Sequence, residues 1–127
     1  MRPRVLCLLL WWLVGLLLAG CTVLDREESR QRGTQEMNAT IEIANPVLDA
    51  IEAYEADYGW YPGRLEVLLP RYLSRIPTTS SGREFRYERD DLYGEWYHLC
   101  FDLATYPNRG CCYFPRLGLW DCSPGCE

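Results

Sequence analysis

Lysine is absent from this chain, whose 13 basic residues are all arginine and stand against 18 acidic ones. Such usage fits codon bias in a GC-rich genome, and no function is read from it. The net charge is −5 at pH 7, and the arginines gather on no one stretch. An electrostatic nucleic-acid interface is therefore excluded. Histidine occurs once, as His98. A catalytic triad would have to use it, yet none of Ser74, Ser80, Ser81 and Ser123 lies in a Gly-x-Ser-x-Gly or other nucleophile motif. The expectation is a non-enzymatic protein without a cofactor. Long apolar runs are missing too. Residues 5–18 (VLCLLLWWLVGLLL) are apolar, but a spanning helix needs about 20 such residues.

That run has the length of a secretory signal core, and Arg2 and Arg4 supply the positive segment before it. Leu18, Ala19, Gly20 and Cys21 follow directly. The tetrapeptide resembles the lipobox of bacterial lipoproteins, in which the cysteine is acylated and the preceding signal removed. The resemblance implies a signal peptide over 1–20 and a lipidated Cys21, with palmitate-type chains holding the protein to a membrane. One chain binds only marginally, whereas two or three hold stably. Thr22 stands where an Asp would resemble an inner-membrane retention signal, so the expected location is the cell envelope, at the outer membrane. Loss of Arg2 and Arg4 with the signal takes the charge to −7.

Residues 22–33 (TVLDREESRQRG) are mostly charged. They read as a flexible tether that completes a segment 21–33 and reaches at most ~40 Å. The globular domain is expected over 34–127. Met37, Ile41, Ala44, Leu48, Ile51 and Tyr58, widened by Val47 and Tyr54, recur at helical spacing. Pro46 interrupts the stripe; a continuous, kinked helix is favoured over two helices with Asn45 as a cap. Gly59 ends it. A turn and a short helical segment follow, up to Ile76 and Pro77. Beyond residue 83 apolar and polar residues alternate, at Phe85 and Tyr87, then Tyr97, Leu99 and Phe101, then 111–114, with a possible edge over 117–122. The expected fold is α+β, a long helix on a three- or four-stranded antiparallel sheet.

Cysteines past Cys21 are confined to the end of the chain, at Cys100, Cys111, Cys112, Cys122 and Cys126. Outside the inner membrane such residues pair as disulfides. Cys100 is expected to bridge to Cys111 or Cys112, and Cys122 or Cys126 to tie the tail to the sheet. A zinc cluster of His98, Cys100, Cys111 and Cys112 has the wrong spacing for the usual knuckles. Asp90, Asp91 and Glu95 around Gly94 read as a solvated turn rather than a cation loop. Glu55 and Asp57 are two apart and do not face each other on a helix. No metal site is expected. Trp96, Tyr106, Tyr113 and Trp120 are candidates for the outer face of the sheet, with Trp96 and Trp120 as the interface residues.

Residues 47–77 carry a more specific pattern. Tyr54, Asp57, Gly59, Tyr61 and Pro62 are followed by Leu65, Leu68, Pro70, Tyr72 and Leu73, then Ile76 and Pro77. This resembles the globular part of type II secretion major pseudopilins and related type IV pilin-like proteins. There a long helix ends in a Tyr-x-x-Asp-x-Gly-x-Tyr-Pro corner before a small sheet. The resemblance implies a pilin-like fold and protein contacts in the envelope, with secretion or pilus components as partners. These motif residues are structural. The family's prepilin-peptidase junction is absent, as is its calcium loop, so polymerisation through the N-terminal segment and calcium binding are not carried over. A second expectation is a ligand-binding lipoprotein that recognises glycan or peptidoglycan through exposed aromatics.

Overall fold

The computed structural model describes the backbone of residues 3–89 and 96–122, with side chains from residue 25 onward. The signal segment 1–20, Cys21, the 90–95 acidic turn and Cys126 therefore lie outside the residues whose side chains are described. Helix α1 spans Pro3–Tyr58. The chain divides into two compact units, Met1–Arg32 and Gly33–Glu127.

In the first unit, residues 25–32 are helical and wholly exposed. The expected flexible tether is thus helix over this part. Glu, Gln and Arg are good helix formers, and no glycine or proline falls between residues 22 and 32. Glu27–Arg30 pairs at 3.8 Å, Glu28 pairs with Arg32, and the Ser29 hydroxyl donates to the Asp25 carbonyl at 3.0 Å. Each such surface pair adds only about 0.2–0.5 kcal/mol. Among the described residues no helix is long and apolar enough to cross a membrane.

In the second unit, the helix continues through Pro46 without a break. Pro46 and Glu42, whose carbonyl loses its usual partner, are both exposed, where water can take that hydrogen bond. The face toward the sheet is Thr40, Ala44, Val47, Leu48, Ala50 and Ile51. Tyr58, expected in that stripe, is 42% exposed, with its ring against those of Tyr54 and Trp60. A 3₁₀ turn, Leu65–Leu68, buries both its leucines.

Four strands follow: β1 (Arg86–Arg89), β2 (Tyr97–Asp102), β3 (Gly110–Phe114) and β4 (Leu119–Asp121). They pair in sequence order, every neighbour antiparallel. The fold is α+β, with the helix packed on one face of the sheet. Strand alternation sets the two faces. Tyr97, Leu99 and Phe101 point to the helix and are at most 1% exposed, while His98, Cys100 and Asp102 point away. The helix-side layer is largely aromatic. Tyr97 meets Tyr61 at 4.7 Å and Tyr87 at 5.7 Å between ring centroids, and Phe101 meets Trp120 at 5.3 Å. Burial without a partner is avoided for the Tyr97 hydroxyl, which donates to Glu52 at 3.1 Å.

The start of this helical stretch is clamped to the β2–β3 loop. Glu36 accepts from the Ala104 N–H at 2.6 Å and from the N–H and hydroxyl of Thr105 at 3.0 and 2.6 Å. Thr40 and Ser80 share a hydroxyl hydrogen bond of 2.7 Å one turn along. Burial alone would push the Glu36 pKa up, but the hydrogen bonds from Thr105 and Ala104 hold it below its ordinary 4.5. A depressed carboxylate contributes stability above its unfolded pKa and loses it as pH falls through the folded value. Between about pH 5 and pH 3 the native protein should therefore lose stability that Glu36→Gln does not lose. Urea midpoints measured across that range check this; parallel pH profiles for the two proteins would contradict it.

Gly33 is buried under the Tyr106 ring. A Cβ there would stand 2.9 Å from Cδ2 of Tyr106 and closer still to Cε2. Ala in a helix gains about 1 kcal/mol over Gly, whereas overpacking costs about 1–3 kcal/mol. The clash should win, so Gly33→Ala is expected to destabilise by about 1 kcal/mol. The double variant with Tyr106→Ala should not show that added loss. A gain in melting temperature for Gly33→Ala alone would mean that the ring moves aside freely.

Candidate functional site: the helix corner and the outer face of the sheet

The corner residues singled out by sequence come together at the end of α1. Gly59 has φ 79°, the left-handed region that glycine enters without a Cβ penalty. Its N–H still closes the helix on the Glu55 carbonyl at 2.7 Å. The chain then turns, and Pro62 is fully buried. Two strand residues grip the turn: the Tyr87 hydroxyl donates to the Pro62 carbonyl at 2.6 Å, and Arg89 donates to the Tyr61 carbonyl at 2.9 Å. Desolvation pushes the Tyr87 hydroxyl well above the usual tyrosine range. Leu65 and Leu68 drop into the core.

Asp57 is the polar centre of the corner. It accepts from the Tyr72 hydroxyl at 2.6 Å and pairs with Arg71 at 2.9 Å. The hydrogen bond to Asp57 is the main reason the Tyr72 pKa is pushed up to about 12. Pro70 lies between these partners and the buried Leu68, bringing Arg71 and Tyr72 back over the helix end. Tyr54, Tyr58 and Tyr72 form a ring cluster there, with Tyr54 4.5 Å from Tyr58 and 5.7 Å from Tyr72. Trp60 is 51% exposed beside it. The hydrogen bonds of Asp57, Tyr72, Tyr87 and Arg89 at this corner each tie one piece of backbone or side chain to another.

Four cysteines are joined as Cys100–Cys112 and Cys111–Cys122. Cys100 and Cys112 are cross-strand partners on the outer face. Cys111, fully buried opposite Phe101, faces the helix, and Cys122 follows β4 on that same side. Adjacent residues of a strand point to opposite faces. Cys111 and Cys112 must therefore take different partners, one bridge on each face. With these thiols committed, the zinc reading of Cys100, Cys111 and Cys112 falls. Among the described residues no group of His, Cys, Asp and Glu is arranged to hold a metal.

The proposed aromatic interface is only partly on the outer face. Trp120 turns toward the helix, against Phe101 and Tyr113, so Tyr113 is on that side too. Tyr106 covers Gly33. Their alternation relative to buried Phe101, through the β2–β3 and β3–β4 registers, decides this, and composition alone did not reveal it. Trp96 is on the outer face and 37% exposed. Its ring lies 4.9 Å from that of His98, which in turn lies 4.7 Å from Phe114. With Pro115, Arg116 and Leu117 they line an open groove of about 390 Å³. Sequence reasoning missed Phe114 and Leu117 as surface residues; the alternation of residues 111–114 was the available signal. Ser80 is occupied by Thr40 and the Glu36 carbonyl, and Ser81 by Thr79, so neither is paired with His98.

The described head is thus a helix on a four-stranded antiparallel meander, closed at one end by a polar corner and stapled on both faces. Comparison with protein-family models, curated proteins and solved structures finds no match to the chain.

Proposed function

We propose that this chain is a lipid-anchored protein of the bacterial cell envelope, held at the outer membrane through acylated Cys21. Its pilin-like head acts by contact with other proteins, and secretion or pilus components are the partners to test first. One observation carries the reading. The residues that resemble the pseudopilin motif, from Tyr54 to Tyr72, assemble into one interlocked corner between helix and sheet. A chance scatter of tyrosines and prolines would not be expected to interlock in this way. The lipobox-like Leu18, Ala19, Gly20 and Cys21 supply the anchor. A helical 25–32 segment rises about 1.5 Å per residue, so it is shorter than the same residues fully extended.

Two measurements test the two halves separately. Cells fed labelled palmitate should incorporate it into the native protein and not into Cys21→Ala. Equal labelling of both would remove the anchor. In-cell crosslinking of the full-length protein, read by mass spectrometry, should capture pilus or secretion components. Capture of cell wall alone, or of nothing, would end the partnership reading.

A further inference from the structure

The groove on the outer face is not part of the corner and is not spent on internal packing. We infer that it receives an extended peptide in which an apolar side chain stands next to a carboxylate. Its walls are apolar, made by Trp96, Phe114, Pro115 and Leu117. Arg116 is the only charged side chain among its described lining residues, and among the described residues it has no ion pair or hydrogen-bond partner. A guanidinium without a partner among the described residues, set beside an apolar slot, complements a ligand that is both apolar and acidic. The turn that carries Arg116 is fixed in place. Gly118 adopts φ 63°, and the Leu117 and Gly118 N–H groups both donate to the Phe114 carbonyl, at 3.1 and 2.9 Å. A rigid turn lowers the ordering cost of binding.

The shape selects a peptide over a small free acid. A small-molecule pocket encloses most of its ligand. Here Leu117 and Leu119 are 69% and 46% exposed, and Leu119 extends the apolar row past its strand partner Phe114. The slot is therefore open and continues along the sheet. Glu88, the strand partner of His98, lies at the other end of that row. It repels a carboxylate there and directs the acidic residue of the peptide to Arg116.

This inference rests on the reading of the head as a protein-contact module, and it needs neither the anchor nor a particular partner. The test is fluorescence anisotropy with the full chain in detergent micelles. The probes are a labelled, acetylated peptide alternating leucine and glutamate, and its lysine counterpart. The glutamate peptide should bind at least about tenfold more tightly. Arg116→Glu should reverse the preference, a gain that misfolding cannot produce. Leu117→Ser, at a side chain outside the core, should weaken both. Absent binding, equal binding of the two probes, or an unchanged preference in Arg116→Glu would overturn the proposal. In-cell crosslinking can fail or succeed independently of this result, so the two failures are distinguishable.

Discussion

Phe101→Ala should cost about 3–5 kcal/mol, the loss expected for emptying a large buried aromatic site. Phe101 is 1% exposed and stands where the sheet, the helix and the inner disulfide meet. Its ring touches Phe85 at 6.1 Å and Trp120 at 5.3 Å, and its strand partner is Cys111. None of these can collapse easily into the void. Phe85 is held at the foot of β1, and Cys111 is fixed by its bridge to Cys122. Small domains have about 5–15 kcal/mol in total. A shift of 1 kcal/mol moves the melting midpoint by about 4–8 °C at this size. Calorimetry should therefore find a drop of at least about 12 °C. A drop below about 4 °C would mean that this part of the core is not packed as described.

The two disulfides, one on each face of the sheet, should each contribute a large share of the stability. Each closes a short loop, with sequence separations of 12 and 11, for which chain entropy gives about 3 kcal/mol apiece. Replacing Cys100 and Cys112 by alanine should cost about 3 kcal/mol or more, since Cys112 is 5% exposed and the loss of its sulfur adds a cavity to the entropy term. Replacing Cys111 and Cys122 should cost a similar amount, because Cys111 is buried too while Cys122, like Cys100, is half-buried. Urea unfolding of both double variants measures the two losses. Peptide mapping of the unreduced protein gives the pairing itself. A loss below about 1 kcal/mol in either double variant would contradict the bridge it removes.

Much of the fold is legible in the residues. The helical stripe from Met37 to Ile51 and the alternation of Tyr97, Leu99 and Phe101 specify a helix on a sheet, because each pattern has the period of its own element. Gly59 marks the helix end, because few other residues enter positive φ without strain. What the sequence left open was every choice that depends on which strand lies beside which. Cysteine spacing allowed fifteen pairings; register and the strict alternation of side chains reduced the described cysteines to one. Trp120 looked as exposed as Trp96 until its β3 neighbour Tyr113 was found on the helix side. Gly33 read as the end of a tether, and only the arrival of Tyr106 from the β2–β3 loop makes its missing side chain necessary. Local periodicity is written in neighbouring residues, so the sequence by itself determines it. Facing, pairing and exposure depend on residues brought together across tens of positions, and tertiary packing alone decides those.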